Sequence, residues 1–331
     1  MDPLTHTATG LFLGRAGMKR WTPLATPILL LAANAPDCDI VTAAGGSLGY
    51  LQYHRHLTHS LVAAPVLALA VVVLVRLAAR QPVRWLGAFA AALVAVSSHL
   101  ALDLTNAYGV RLLLPFSSRW FEWDLTNIVD LWIWAVLLLA VTGPFLARLV
   151  GSEIASGTSK TRHHGRGFAI FALAFLLVYN YGRSVLHERA VAVAGSRIYH
   201  GRDPLRVAAV PNTAIPWRWR ALIETEDFYA VAGVDLLRDF DPTQAAIFQK
   251  PEPQPALDAA RRSVDIRGFL GFSQYPLWHV LPVAEPENAR LVEVVDMRFG
   301  TPTDPGFAAG AVVGPSLNIV SEYLRIGRPR P

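Results

Sequence analysis

Histidine and aspartate residues are concentrated in three short stretches that begin or end long apolar runs. The stretches read NAPDCDI, HRHLTHS and SHLALDLTN. Imidazole nitrogens suit zinc and iron, and carboxylate oxygens add negative charge and can bridge two ions. A set of this kind could hold one to three divalent metals, as in hydrolytic sites where metals activate water. The candidate ligands are Asp37, Asp39, His54, His59, His99 and Asp103, and His6 is a further member.

Spacing supports part of this set, although each residue also has a simpler interpretation. His99 and Asp103 are four positions apart, so both lie on one face of a helix. They could equally form a buried hydrogen-bonded pair that tightens helix packing. Either early aspartate could cap a helix, and a lone histidine at a membrane interface is more often a polar surface group than a ligand. The shared metal site is favoured because all the groups fall at one membrane face; His56 is its weakest member, and Asp124 and Asp130 are candidate supporting partners or additional ligands.

The composition indicates a membrane protein. Of the 331 residues, 53% are hydrophobic and only 17% are charged, against about 25% charged in ordinary soluble domains. The net charge of +5 fits the loop charges that set membrane orientation. A nucleic-acid partner is not expected, because no basic and aromatic stripe accompanies the charge. The single cysteine, Cys38, cannot form an internal disulfide.

Long apolar runs predict about four membrane-spanning helices, preceded by two shorter helices. The short pair is interpreted as a hairpin, because about 14 residues of helix are only about 21 Å long. A hairpin would return His6 and Asp37 to the same end. The predicted spans are 61–80, 85–104, 130–149 and 167–181, and the hairpin helices are 4–17 and 22–35.

Charge distribution predicts how the chain is oriented. The turns assigned to one side contain ten basic residues and one acid, whereas the other side contains three basic residues and six acids. Positive charge marks the cytoplasmic side, so the histidine cluster is expected to face outward. Residues 1–190 form the predicted helical membrane domain with the metal site. Residues 191–331 form a predicted extracytoplasmic α+β or β-rich domain, in which RLVEVVDMRFG and RSVDIRGFLGF are both interpreted as strands.

The motifs together resemble a known family, the membrane-bound predicted metal-dependent hydrolases typified by the LexA-regulated YdjM-like inner-membrane proteins. The resemblance rests on THTATG, PDCD, HRHLTHS, SHLALDLTNAYG and LLLPFS, and it is strongest over residues 1–145. It implies a multi-span bacterial protein of the cytoplasmic membrane with a divalent-metal hydrolase site. One departure is His56, which stands where the family usually has glycine. The ligands that the resemblance implies are His6, Asp37, Asp39, His54, His59, His99 and Asp103.

The sequence therefore predicts a membrane-bound hydrolase that uses metal-activated water on an ester or phosphoester of a lipid or envelope component. The metal is expected to be zinc, with manganese or iron as alternatives. Asp39 or Asp103 would contribute to general-base catalysis, and Arg55 would stabilise the anionic group in the transition state. The rival hypothesis is a non-enzymatic protein that binds metal for structure, sensing or transport. A third is an envelope-binding protein whose outer domain carries the function.

Overall fold

A computed structural model describes residues 1–154 and 164–327. Residues 155–163, which belong to a predicted polar loop between two spans, lie outside the described residues. The chain forms two compact units. The first contains Met1–Asp39, Arg55–Arg189 and Pro211–Arg218. The second contains Ile40–His54, Ala190–Val210 and the chain from Trp219 onward.

The N-terminal part of the chain is helical, as its apolar runs predict. In chain order its helices are α1 (Pro3–Ala16), α2 (Ala25–Ala32), α3 (Gly46–Tyr53), α4 (Ala63–Ala79), α5 (Trp85–Leu104), α6 (Leu131–Ile154) and α7 (His164–Gly195). Within the described residues, Trp85–Leu104 and Gly165–Gly195 are long and apolar enough to cross a membrane. A third span is obtained if the bent pair Ala25–Ala32 and Ala35–Tyr53 is counted as one. The helical membrane region is thus confirmed, while the number of about four spans stays a prediction.

Helices α1 and α2 form the predicted hairpin. The two helices approach closely at Gly10, where an added Cβ would lie 2.7 Å from the carbonyl oxygen of Leu29. At the open end of the hairpin, the Asn34 side-chain amide donates to the Thr7 hydroxyl at 3.0 Å. The hairpin therefore brings the start of α1 beside the residues that follow α2, which is where His6 and Asp37 lie.

Two apolar cores hold the helices of the first unit together. One joins α2, α4 and α5, where fully buried alanines of α5 let the neighbouring backbones approach. The other joins α1, α6 and α7 around Phe12, Ile133 and Ala172. These cores fix α5 against both the hairpin and α4, and so fix the side chains at its C-terminal end.

The second unit contains two four-stranded sheets, and the predicted β-rich C-terminal region is confirmed. The first sheet has the order β1 (Arg206–Pro211), β2 (Arg218–Glu224), β3 (Phe228–Asp235), β4 (Ala246–Gln249). The second is an antiparallel meander of β5 (Pro276–Pro282), β6 (Arg290–Asp296), β7 (Phe307–Val313) and β8 (Ile319–Ile326). Two short helices, α8 (Pro255–Ala260) and α9 (Val264–Leu270), pack against this second sheet.

The strand predicted for RSVDIRGFLGF is wrong, because this segment forms helix α9. The Ser263 side chain caps the helix by accepting a hydrogen bond from the backbone N–H of Ile266. Ile266 and Phe269, three positions apart, are the buried side chains, which is a helical and not a strand spacing. The strand predicted for RLVEVVDMRFG is confirmed over RLVEVVD, which forms β6.

One cross-strand row of the second sheet is polar. His279, Glu293, Gly310 and Tyr323 are paired in register across β5, β6, β7 and β8. The Glu293 carboxylate lies 2.8 Å from His279 Nε2 and 3.4 Å from the Arg325 guanidinium, and it accepts a hydrogen bond from the Tyr323 hydroxyl. Gly310 leaves room for the Tyr323 ring, which a Cβ would meet at 2.5 Å. Together with Arg325, the row forms a compact charged cluster on the second sheet.

Candidate metal centre

Three separate segments of the first unit bring four potential ligands together. Helix α5 presents His99 and Asp103 one turn apart on its buried face. The 3-10 segment that follows α2, Ala35–Gly45, carries Asp37, and a short 3-10 turn, Leu57–His59, ends in His59. One ligand atom from each of these four residues lies within 4.8 Å of all the others. His59, His99 and Asp103 are fully buried, whereas the Asp37 side chain is 21% exposed.

The distances among the four atoms are short and nearly uniform. The Nε2 atoms of His59 and His99 are 3.2 Å apart. Asp103 Oδ2 lies 3.3 Å from the His59 nitrogen and 3.4 Å from the His99 nitrogen. Asp37 Oδ1 lies 3.4 Å and 3.6 Å from the same two nitrogens. Ligand atoms at zinc distances of about 2.0 Å in a tetrahedron are separated by about 3.3 Å. These separations therefore match five of the six edges of a tetrahedral coordination shell.

Neighbouring groups fix both imidazoles with the Nε2 lone pair directed at the centre. His99 Nδ1 lies 2.8 Å from the carbonyl oxygen of Ala33, which can only accept, so Nδ1 carries the proton. The Thr58 hydroxyl donates to Asp39 at 2.7 Å, and its oxygen lies 3.1 Å from His59 Nδ1. Because that hydroxyl proton is already used, His59 Nδ1 is the donor toward Thr58. Metal-binding histidines are typically oriented in this way by an oxygen acceptor on the other nitrogen.

The arrangement is chemically suited to a cation. Two unprotonated imidazole nitrogens and two carboxylate oxygens converge. Their negative charges and lone pairs repel each other unless a cation lies between them. Asp103 Oδ2 is buried without a hydrogen-bond partner among the described residues. An orphaned buried carboxylate oxygen costs free energy that a metal ion would offset. The residues present therefore fit a divalent metal held by Asp37, His59, His99 and Asp103.

Comparison with known proteins identifies the family of the N-terminal region. The sequence model of the YdjM inner membrane protein family matches residues 1–190, more than half of the chain. The chain belongs to this family. It is also 26% identical over 342 residues to the uncharacterized protein YfhP of Bacillus subtilis (strain 168), an alignment that covers 98% of this chain and 94% of YfhP. No solved structure matches the chain.

His6 lies beside the four-residue cluster and is not one of its members. Its ring stacks on that of His99 with the centroids 3.8 Å apart. His6 Nε2 is 3.4 Å from Asp103 Oδ1, and neither ring nitrogen has a hydrogen-bond partner among the described residues. The predicted ligand His6 thus faces Asp103 Oδ1, whereas the four-residue cluster uses Asp103 Oδ2.

Arg55 is directed at the ligand Asp103. Its Nη2 lies 3.1 Å from Asp103 Oδ1, and its Nη1 donates to Asn106 and to the carbonyl oxygen of Gly109 at 3.1 and 3.3 Å. The guanidinium also lies 4.9 Å from the centre of the Tyr108 ring. Neither Asn106 nor Tyr108 was predicted as a site residue from the sequence, although both stand in the segment DLTNAYG. They hold the guanidinium that positions Asp103.

Asp39 supports the cluster from outside. Its Oδ2 accepts hydrogen bonds from the backbone N–H of Arg55 at 2.9 Å and from the Thr58 hydroxyl, and lies 3.2 Å from His59 Nδ1. Arg55 itself has a positive φ of 57°, which the hydrogen bond to Asp39 helps to hold. His56 has a φ of −92° and a ψ of −123°, a pair that lies outside both the β and the right-handed α regions.

His54, Asp130 and Asp124 are not members of the four-residue cluster. His54 follows helix α3 in the second unit, where its ring stacks on Tyr50 at 4.6 Å. Asp130 caps helix α6 by accepting from the backbone N–H groups of Trp132 and Ile133. Asp124 is buried and has a positive φ of 53°. Asp130 therefore has a structural role that is independent of the cluster.

Proposed function

We propose that this protein is a membrane-bound metal-dependent hydrolase that acts on an ester or phosphoester of a lipid or envelope component. The observation that carries the proposal is the convergence of His59 Nε2, His99 Nε2, Asp37 Oδ1 and Asp103 Oδ2 at tetrahedral separations. A bound divalent cation would lower the pKa of water and polarise the ester or phosphoryl oxygen. Zinc suits a set of two imidazoles and two carboxylates, and manganese or iron are the alternatives.

A second metal ion beside His6 is disfavoured. It would share Asp103 through its Oδ1 atom, which already faces the Arg55 guanidinium at 3.1 Å. A second divalent cation placed there would be repelled by this positive charge.

Access to the centre is best at Asp37. Three of the four ligand side chains have no exposed surface, and Asp37 alone of the four is partly exposed. A substrate would therefore approach along the Asp37 side, where this carboxylate can accept a proton from water. Asp103 and Asp39 are held in place by Arg55 and Thr58 and keep the ligands aligned. Arg55 is then a positioning residue, because its guanidinium is engaged by Asp103, Asn106 and Gly109.

A specific observation also favours a second candidate function, in which the metal is structural. Four protein ligands complete a tetrahedral shell, and closed shells are typical of structural zinc, whereas catalytic sites keep a position for water. Catalysis here would require either a fifth ligand position for water or the replacement of Asp37 by water in the coordination shell. The two functions differ in whether the loaded protein turns over substrate.

The outward orientation of the centre and of the C-terminal domain is part of the proposal. Its support is the excess of basic residues in the turns that lie away from the cluster along the chain. Cysteine-labelling of single-cysteine variants in intact cells would test it. If the centre faces outward, an impermeant reagent should label cysteines at or beside Cys38 in intact cells. Labelling only after lysis would contradict the outward orientation.

The decisive test of hydrolysis uses the whole protein in detergent. The protein is stripped with a chelator, reloaded separately with zinc, manganese or iron, and assayed on chromogenic phosphodiesters, carboxyl esters and phospholipids. We expect turnover with at least one metal, and a loss of at least about 100-fold in His99→Ala. His56→Ala is the matched control, because its histidine lies in the same segment outside the four-residue cluster. A loaded wild-type protein with no turnover on any substrate would favour the structural metal.

A further inference from the structure

A second site lies along α1, and its basic end is far from the metal centre. It combines two cavities between α1, α6 and α7 that share the side chain of Val141. Arg15 lies nine positions beyond His6 on α1, roughly 14 Å along the helix axis. The basic end of the site is therefore separate from the metal centre.

The first cavity is basic. It has a volume of about 630 Å³ and is lined by Arg15, Lys19, Arg20 and Arg166 together with Pro144 and Phe145. Its described lining contains no carboxylate. Arg15 Nη1 is buried without a hydrogen-bond partner among the described residues, and Arg166 donates from Nε to the carbonyl oxygen of Ala16 at 3.0 Å. Four positive side chains around one cavity repel each other, so an anion placed among them would be stabilising.

The second cavity is an apolar groove between α1 and α6. It has a volume of about 570 Å³, and Leu4, Ala8 and Leu11 line one wall. Leu131 and Leu138, which are 51% and 65% exposed, line the other. The helices belong to a membrane protein family, so exposed leucines at this position face lipid. Because Val141 lines both the groove and the basic cavity, the combined site is apolar along most of its length and cationic at one end.

We propose that this combined site holds one anionic phospholipid of the surrounding membrane. Its phosphate lies among the basic side chains, and one acyl chain lies along the groove between α1 and α6. Basic pockets between membrane helices are suited to lipid headgroups, since each nearby Lys or Arg adds about 1 kcal/mol of attraction to anionic lipid. The lipid would join α1 to α6 at the end of the hairpin opposite to His6.

Native mass spectrometry of the full chain in mild detergent tests this proposal. Phosphatidylglycerol and phosphatidylcholine are added in equal amounts. The number of molecules of each lipid that stay bound to the protein is then measured. We expect preferential retention of phosphatidylglycerol. The double variant Lys19→Gln, Arg20→Gln should weaken that retention roughly 30-fold, from two lost charges. The matched control is Arg76→Gln, Arg80→Gln, which removes two exposed charges outside the cavity and should retain lipid as wild type does.

Further measurements distinguish a phospholipid headgroup from free inorganic phosphate. Ala135→Trp fills the groove from an exposed position of α6 and should release phosphatidylglycerol although every charge remains. Circular dichroism and elution volume verify that each variant is folded. Full displacement by excess inorganic phosphate, with no effect of Ala135→Trp, would overturn the proposal in favour of a free phosphate site. Equal retention of uncharged diacylglycerol would overturn it in favour of a purely apolar groove.

Discussion

His59 and His99 face one another through their Nε2 atoms at 3.2 Å, although the second nitrogen of each ring is already directed at an oxygen acceptor. Two neutral imidazoles in this orientation cannot hydrogen-bond to each other, because neither has a proton to donate at Nε2. The close pair could therefore hold a cation that accepts both lone pairs. The same cation would balance the negative charges of Asp37 and Asp103, whose carboxylates converge on this pair.

We predict that the purified protein binds one equivalent of divalent metal. His99→Ala removes a buried ligand and should reduce the bound metal to background, whereas His56→Ala should keep one equivalent. Plasma mass spectrometry of protein prepared without chelator measures both. Two or three equivalents in wild type would contradict the single site inferred from the Arg55 guanidinium beside Asp103.

Asp39→Asn is predicted to weaken metal binding without removing the site. Loss of an outer partner of a histidine ligand typically lowers metal affinity 10- to 100-fold. Competition with a fluorescent chelator gives the affinity, and the protein should still saturate at one equivalent. Thr58→Val should act in the same direction, and Thr58→Ser should restore wild-type affinity by keeping the hydroxyl. Complete loss of metal from Asp39→Asn at saturating metal would instead make Asp39 a direct ligand.

Gly10→Ala is predicted to destabilise the first unit. The added Cβ would lie 2.7 Å from the Leu29 carbonyl oxygen and 2.9 Å from the Ala33 Cβ, so α1 and α2 must move apart at a cost of about 1–3 kcal/mol. Gly182→Ala is the control, because no heavy atom lies within 4 Å of its Cβ position in α7. That variant should be neutral or gain up to about 1 kcal/mol. Thermal unfolding in detergent, followed by circular dichroism, compares the two; equal melting temperatures would contradict close packing at Gly10.

The polar row in the second sheet should make that sheet sensitive to acid. Burial alone would raise the pKa of Glu293, but the hydrogen bonds from His279 and Tyr323 and the charge of Arg325 lower it below its ordinary value of 4.5. A lowered pKa in the folded state means that this stabilisation is fully present above about pH 4.5. It is lost as the pH falls through the folded pKa.

Hydrogen exchange of strands β5 to β8 between pH 6 and pH 3 would measure this loss. Glu293→Gln removes the carboxylate and should flatten the pH dependence of protection. Glu287→Gln, at an exposed position, is the control and should keep the wild-type dependence. An unchanged pH dependence in Glu293→Gln would show that the cluster does not contribute.

Much of the centre could be predicted because its residues carry strong local signals. The spacing of His99 and Asp103 on an apolar helix placed both on one face, and the hairpin interpretation placed Asp37 near them. Backbone groups gave no such signal, so the Ala33 carbonyl that orients His99 could not be foreseen. The alternation in RSVDIRGFLGF was too imperfect to distinguish a strand from a helix. The capping hydrogen bond of Ser263 and the burial of Ile266 and Phe269 decide in favour of α9.

The ligands of the proposed centre come from chain segments separated by roughly 20 and 40 residues, counted from Asp37 to His59 and from His59 to His99. A metal bound to all four would close both loops at once, which restricts the unfolded chain much as a covalent cross-link does. The hairpin, the 57–59 turn and the end of α5 would then separate only after the ion leaves. Chelation should consequently loosen this end of the helical bundle first, while the apolar cores around Ile28 and Phe12 remain packed.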